Sequence, residues 1–125
     1  MYLLNFGHPL TQEQITVLDK TLDQKVIILN IRVQVNYDEL IYPQLEKVID
    51  SISDKLNFQT DPYIVNLPPL SNAAAIILTI LHGRSGYFPH ILVQKPKENS
   101  QPLKYVVGEI VNLQEIRDKE RHKRQ

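Results

Sequence analysis

Apolar and polar positions follow two rhythms along this chain, and each change of rhythm marks an element. Tyr2-Leu3-Leu4-Asn5-Phe6-Gly7 is a short apolar run closed by Gly7, His8 and Pro9, which predicts a buried strand. Thr11 stands three residues before Gln14, the spacing of a capping box, and Ile15, Leu18 and Leu22 follow at helical intervals. A first helix is therefore expected over 11–23. Lys25–Val35 is rich in β-branched residues and alternates toward its end, predicting a second strand. Pro43 fits the first position of a helix, and Leu45, Val48, Ile49, Ile52 and Leu56 make one stripe, so a second helix is expected over 43–56. Tyr63–Leu67 predicts a third strand, stopped by Pro68 and Pro69.

Ser71 or Asn72 is the expected cap of a third helix, which runs through Ala73–Leu81 to a stop at Gly83 or Gly86. That helix is apolar on every side and too short to span a bilayer. It must be covered by sheet, helix or a partner subunit. Ile91–Lys95 and Leu103–Val111 predict two more strands, joined by a hairpin loop over Pro96–Pro102. Asn112 and Glu115 repeat the cap spacing and open a last helix in which only Leu113 and Ile116 are apolar.

The order β-α-β-α-β-α-β-β-α implies an α/β, Rossmann-like fold: a mostly parallel sheet, helices on both faces and a C-terminal antiparallel hairpin. Residues 1–112 form the expected domain, and 113–125 a charged helix or tail carrying five basic and three acidic residues. The pattern of two apolar residues, Asn and one more apolar residue recurs at Leu3–Phe6, Ile28–Ile31, Ile64–Leu67 and Ile110–Leu113. Asparagine favours strand ends and caps for local reasons. Yet in a doubly wound sheet of order 2-1-3-4-5, Asn5 and Asn66 would flank the switch point where ligands bind.

Composition narrows the chemistry. The chain has 125 residues with 14 Lys+Arg against 14 Asp+Glu, so no broad basic face for a long nucleic acid is expected. It has no Cys, which excludes a disulfide scaffold, a thiol nucleophile and a Cys-based metal site. No apolar stretch approaches 18 residues and the start lacks a basic leader, so a cytoplasmic protein is the expectation. There is no G-x-G-x-x-G, no P-loop and no acidic strand end of a phosphoacceptor domain. His8, His82, His90 and His122 lie too far apart for a metal motif, so no metal and no cofactor are expected.

Three segments carry what chemistry remains. In Asn5-Phe6-Gly7-His8-Pro9-Leu10-Thr11, Gly7 permits close approach of a ligand, Phe6 and His8 offer flat faces, and Thr11 opens a helix N-terminus. A plain tight turn is the alternative. Asn66-Leu67-Pro68-Pro69-Leu70-Ser71-Asn72-Ala73 is a second strand-to-helix loop, stiffened by its prolines. Its small Ala73 leaves room for a bulky group or simply allows close packing. Arg84 is the only Lys or Arg between Lys55 and Lys95; it is a candidate phosphate clamp or a structural ion-pair partner. Its place at the far end of the third helix sets it at the opposite edge of the sheet from the two loops, unless a second subunit brings it round.

Leu4–Thr11, Leu81–Pro89 and Glu109–Arg117, taken together and in order, resemble a small Csx-type CRISPR-associated family, the fifteenth of that series, encoded with type III systems. The likeness extends over nearly the whole chain. It implies a minimal CARF-type domain, a homodimer and a cyclic oligoadenylate ligand, with cyclic tetra-adenylate the first choice. His8, Pro9, Leu10 and Thr11 and the Asn66–Asn72 loop would then face the ring. Related proteins sequester the messenger and so dampen antiviral signalling; others are ring nucleases. In a metal-independent ring nuclease His8 would be the general acid or base, with Thr11 and Ser71 donating to phosphate. Setting the resemblance aside leaves a Rossmann-like interaction module with a basic hairpin surface at Lys95, Lys97 and Lys104.

Overall fold

A computed structural model describes residues 1–124; Gln125, the last residue of the charged tail, lies outside the described residues. The elements are β1 (Tyr2–Asn5), α1 (Gln12–Leu22), β2 (Ile27–Asn30), α2 (Ile41–Asp50), β3 (Tyr63–Asn66), α3 (Ser71–Ser85), β4 (His90–Pro96), β5 (Tyr105–Asn112) and α4 (Leu113–Arg121). The strands form one sheet in the order β2-β1-β3-β4-β5. All neighbours are parallel except β4 and β5, which pair antiparallel. The expected α/β, Rossmann-like architecture is therefore the one the chain adopts.

Alternation divides the core. Leu4, Tyr63 and Val65 face α2 and α3, where Leu45, Ile49, Ala73, Ile77 and Leu81 close over them. Leu3, Ile64 and Leu92 face the other way and are covered by Leu18 of α1. The uniformly apolar α3 is explained by this packing. Ala73, Ile77 and Leu81 are buried and Ile76 and Ile80 pack partly into the same cluster. The outward positions Ala75, Thr79 and Gly83 are small rather than bulky, so exposing them costs little.

Local expectations shift where tertiary structure overrides them. β2 stops at Asn30, well short of Val35, because its partner β1 stops at Asn5; the last bond is from the Ile31 N–H to the Asn5 carbonyl, 2.8 Å. Beyond it Val33 and Val35 still pack against the core without ladder partners. Pro43 is the third residue of α2, not the first, and is tolerated there because first-turn N–H groups have no intrahelical acceptor. α2 ends at Asp50, and tight turns over 51–55 carry Ile52 and Leu56 into the core. Neither Ser71 nor Asn72 caps α3; Leu70 occupies that position with extended backbone and no side-chain bond. Gly83 is interior, and the helix stops at Gly86, whose φ of 85° is left-handed.

The β4–β5 hairpin departs from regular pairing in one place. Val93 pairs with Glu109 but Gln94 pairs with Val107, so Gly108 is an extra residue on β5. This bulge resets the alternation: Val107 and Ile110, three apart, both pack on the α1 side of the sheet. In β4, Ile91 is level with Val65, so the residues after Leu92 run past the ends of β1 and β3. Four residues, Val93–Pro96, extend about 13 Å beyond the edge at the usual rise per residue.

Candidate functional site

The C-terminal ends of β2, β1 and β3 carry Asn30, Asn5 and Asn66 in one register row. Asn5 is 1% exposed and its amide is fully used. It donates to the Asn30 Oδ1 at 2.9 Å and to the His8 carbonyl at 3.0 Å. It accepts from the Gly7 N–H at 3.1 Å and from the Asn66 Nδ2 at 2.9 Å. The recurrent asparagines are thus a cross-strand clamp that sets the turn after β1. The fourth copy, Asn112, lies at the opposite edge and caps α4 by accepting from the Glu115 N–H at 3.0 Å.

Gly7 is required by this clamp. A Cβ there would lie 2.9 Å from the Asn66 Nδ2 and 3.3 Å from the Leu67 carbonyl oxygen, so the close approach is to β3 rather than to a ligand. The turn then delivers Thr11 to the head of α1. The capping box forms as expected: the Gln14 N–H donates to the Thr11 Oγ1 at 3.1 Å, and the Thr11 N–H donates to the Gln14 Oε1 at 2.8 Å. Gln14 has a second task. Buried to 7% exposure, it donates through Nε2 to the Tyr105 carbonyl at 2.8 Å and so ties α1 to the hairpin.

Between the turn, α1 and the hairpin lies a cavity of about 480 Å³. His8, Pro9, Thr11 and Glu13 line one side, and Gln94, Lys97, Leu103, Lys104 and Tyr105 the other. The hairpin arm is held by bonds from the Lys97 N–H to the Lys104 carbonyl at 2.7 Å and from the Lys104 N–H to the Ser100 Oγ at 3.0 Å. Two lysines face one glutamate around the cavity, giving it a positive balance within a chain of zero net charge. The capping box occupies the N–H groups of Thr11 and Gln14, leaving those of Gln12 and Glu13 without intrahelical acceptors at the same end.

The sequence-predicted residues separate into four groups. His8, Pro9 and Thr11 come together on the cavity. Pro69, Ser71 and Asn72 are exposed at the head of α3, on the same edge of the sheet but outside the cavity lining. Asn5, Gly7, Asn66, Pro68 and Ala73 build the edge rather than lining the cavity.

Two residues leave the site. Phe6 is 3% exposed in the α2–α3 core, so it has no face to offer a ligand. Arg84 pairs with Asp50, Nη2 to Oδ1 2.7 Å, near the C-terminal ends of α2 and α3. This is the structural ion pair that the sequence offered as one of two roles, and it stands at the edge of the sheet opposite the two loops.

Lys97, Lys104 and Tyr105 are the residues sequence reading kept apart from the site. Lys97 and Lys104 stood out only as a basic hairpin surface, and a signal that goes further is Gly108, a lone glycine inside a strand pattern, which marks a bulge. The other edge of the sheet holds an aromatic cluster. Tyr63 meets Phe58 edge-on at 6.0 Å between centroids and lies 6.5 Å from Tyr87. Burial pushes the Tyr63 hydroxyl up to about 12, its bond with Ser85 opposing that shift and Tyr87 adding to it.

Comparison with protein-family models, with curated proteins and with solved structures gave no match. Among the described residues no cluster of His, Asp and Glu could hold a metal ion, and no helix is long and apolar enough to cross a membrane.

Proposed function

We propose that this chain binds cyclic oligoadenylate, cyclic tetra-adenylate first, at the C-terminal edge of its sheet and sequesters it, acting as a type III CRISPR ancillary protein that dampens antiviral signalling from the cytoplasm. The observation that carries this reading is the meeting of the His8–Thr11 turn with the lysine-bearing hairpin around one cavity. Open α/β sheets take ligands beyond the carboxyl ends of their strands, at the switch in strand order. Here β2 and β3 leave β1 in opposite directions at that point. Lys97 and Lys104 supply the cations that the two loops lack, and the resemblance to the Csx-type family supplies the ligand class. A two-fold homodimer would meet a four-phosphate ring in equivalent halves.

A metal-independent ring nuclease is the second reading, favoured by His8 and Glu13 lining the same cavity. Proton transfer needs an oriented group. Lys97 and Lys104 on the same cavity are point charges suited to holding a phosphate, so holding is preferred to cutting. The test is to mix the protein with cyclic tetra-adenylate over a concentration series and then chromatograph the ligand. Binding at micromolar protein with intact ligand after many hours is expected. Linear di-adenylate would establish the nuclease, and no binding would leave only an interaction module using the Lys95, Lys97 and Lys104 surface.

A further inference from the structure

The geometry points to the cavity between α1 and the β4–β5 hairpin as a subsite for one ribonucleotide unit, its base on Tyr105, its phosphate between Lys97 and Lys104 and its ribose hydroxyls toward Glu13. This inference rests on the binding function proposed above and goes further, to the size of the unit held and the residues that hold it. The cavity, about 480 Å³, falls in the lower half of the ~300–1,000 Å³ range of small-molecule sites, which suits one nucleotide and not a ring of several.

Its walls are apolar where packing does not require it: Val17, Tyr105 and Leu103 are 43, 50 and 63% exposed. An aromatic ring flanked by aliphatic groups stacks any base, since every base has a π-face. Both lysines sit on backbone fixed by the hairpin's own bonds, and each offers a point charge to a phosphate. Glu13 repels phosphate from the α1 side, and a carboxylate accepts from a ribose hydroxyl. The Gln14 bond to the Tyr105 carbonyl holds the stacking residue at a set distance from the helix.

The test is a titration of the isotope-labelled full chain, followed by NMR, with adenosine 5′-monophosphate, its 2′-deoxy analogue, adenosine and, separately, cyclic tetra-adenylate. The monophosphate is expected to shift the amides of Thr11, Lys97, Lys104 and Tyr105 saturably, with adenosine and the deoxy analogue weaker. Tyr105→Ala is expected to weaken the monophosphate and the cyclic ligand alike, by about tenfold. Tyr105→Phe, which keeps the ring, is expected to retain both and guards against a folding defect. If the cyclic ligand binds but the monophosphate at millimolar concentration moves none of these amides, the inference is overturned and the proposed function stands. The same follows if Tyr105→Ala changes neither affinity. If no ligand binds, both fall.

Discussion

Asn5 uses every hydrogen-bonding capacity of its amide inside the molecule, two donors and two acceptors, at 1% exposure. Such a residue tolerates no substitute. Asn5→Ala leaves the Gly7 N–H, the His8 carbonyl and two neighbouring amides short of a partner, and is expected to lower the unfolding free energy by roughly 2–4 kcal/mol in denaturant titration. Asn5→Asp keeps the shape and both acceptors but loses the donors to Asn30 and His8, so it too should destabilise. An unchanged denaturation midpoint in both variants would show that the asparagine row carries no load.

Tyr63 makes a second prediction at this scale. Burial raises its hydroxyl to about 12 from an ordinary value near 10.0, so the folded chain holds that proton more tightly than the unfolded one. The associated stability is complete below pH 10 and is lost as pH rises from there toward 12. Tyr63→Phe is expected to flatten that alkaline limb while leaving its slope near neutrality unchanged, as read from denaturation midpoints across the pH range.

At the scale of elements, the hairpin makes the site possible, and one glycine shapes the hairpin. A Cβ on Gly108 would stand 3.0 Å from the Val93 carbonyl oxygen and 3.3 Å from the Lys95 Cγ. Gly108→Val must therefore push β4 and β5 apart or undo the bulge, at a cost of about 1–3 kcal/mol. Because the bulge sets which side chains of β5 face α1, the same variant is expected to lose ligand affinity. Retained affinity in a destabilised Gly108→Val protein would detach the bulge from the site. α1 is the matching element: its capping box was readable from Thr11 and Gln14, but the second bond of Gln14, to a carbonyl 91 residues away, was not. Sequence spacing reports partners within a turn and is silent about distant ones.

On the scale of the whole molecule, the two edges of the sheet have different work. The edge bearing the strand C-termini holds the cavity, the lysines and the asparagine row. The other holds Tyr63, the Arg84–Asp50 pair and the Asn112 cap. Arg84→Ala is accordingly expected to cost less than about 1 kcal/mol, as partly exposed ion pairs do, and to leave ligand affinity unchanged. Lys104→Ala is expected to do the reverse, weakening binding and lowering its salt dependence with little effect on stability. Isothermal titration at two salt concentrations separates the two. An Arg84→Ala protein that loses affinity would return that residue to the site.

The sequence by itself determined the element order, the strand-and-helix alternation that makes the sheet mostly parallel, and the burial of the first strand. These follow from periodicity and from caps, which act over a few residues and leave their mark in neighbouring letters. It also marked Asn5, His8, Thr11 and Asn66 as belonging to one edge. Only the tertiary structure decided what each does there. Asn5 and Asn66 turned inward because three strands end level and their amides satisfy one another, and Phe6 went to the core because α2 and α3 close over that end of β1. The lysines reached the cavity because the hairpin runs on past the ends of β1 and β3 and Gln14 ties it to α1. A chain with no net charge thus acquires a locally positive cavity, since charge balance belongs to the whole sequence and charge placement to the fold.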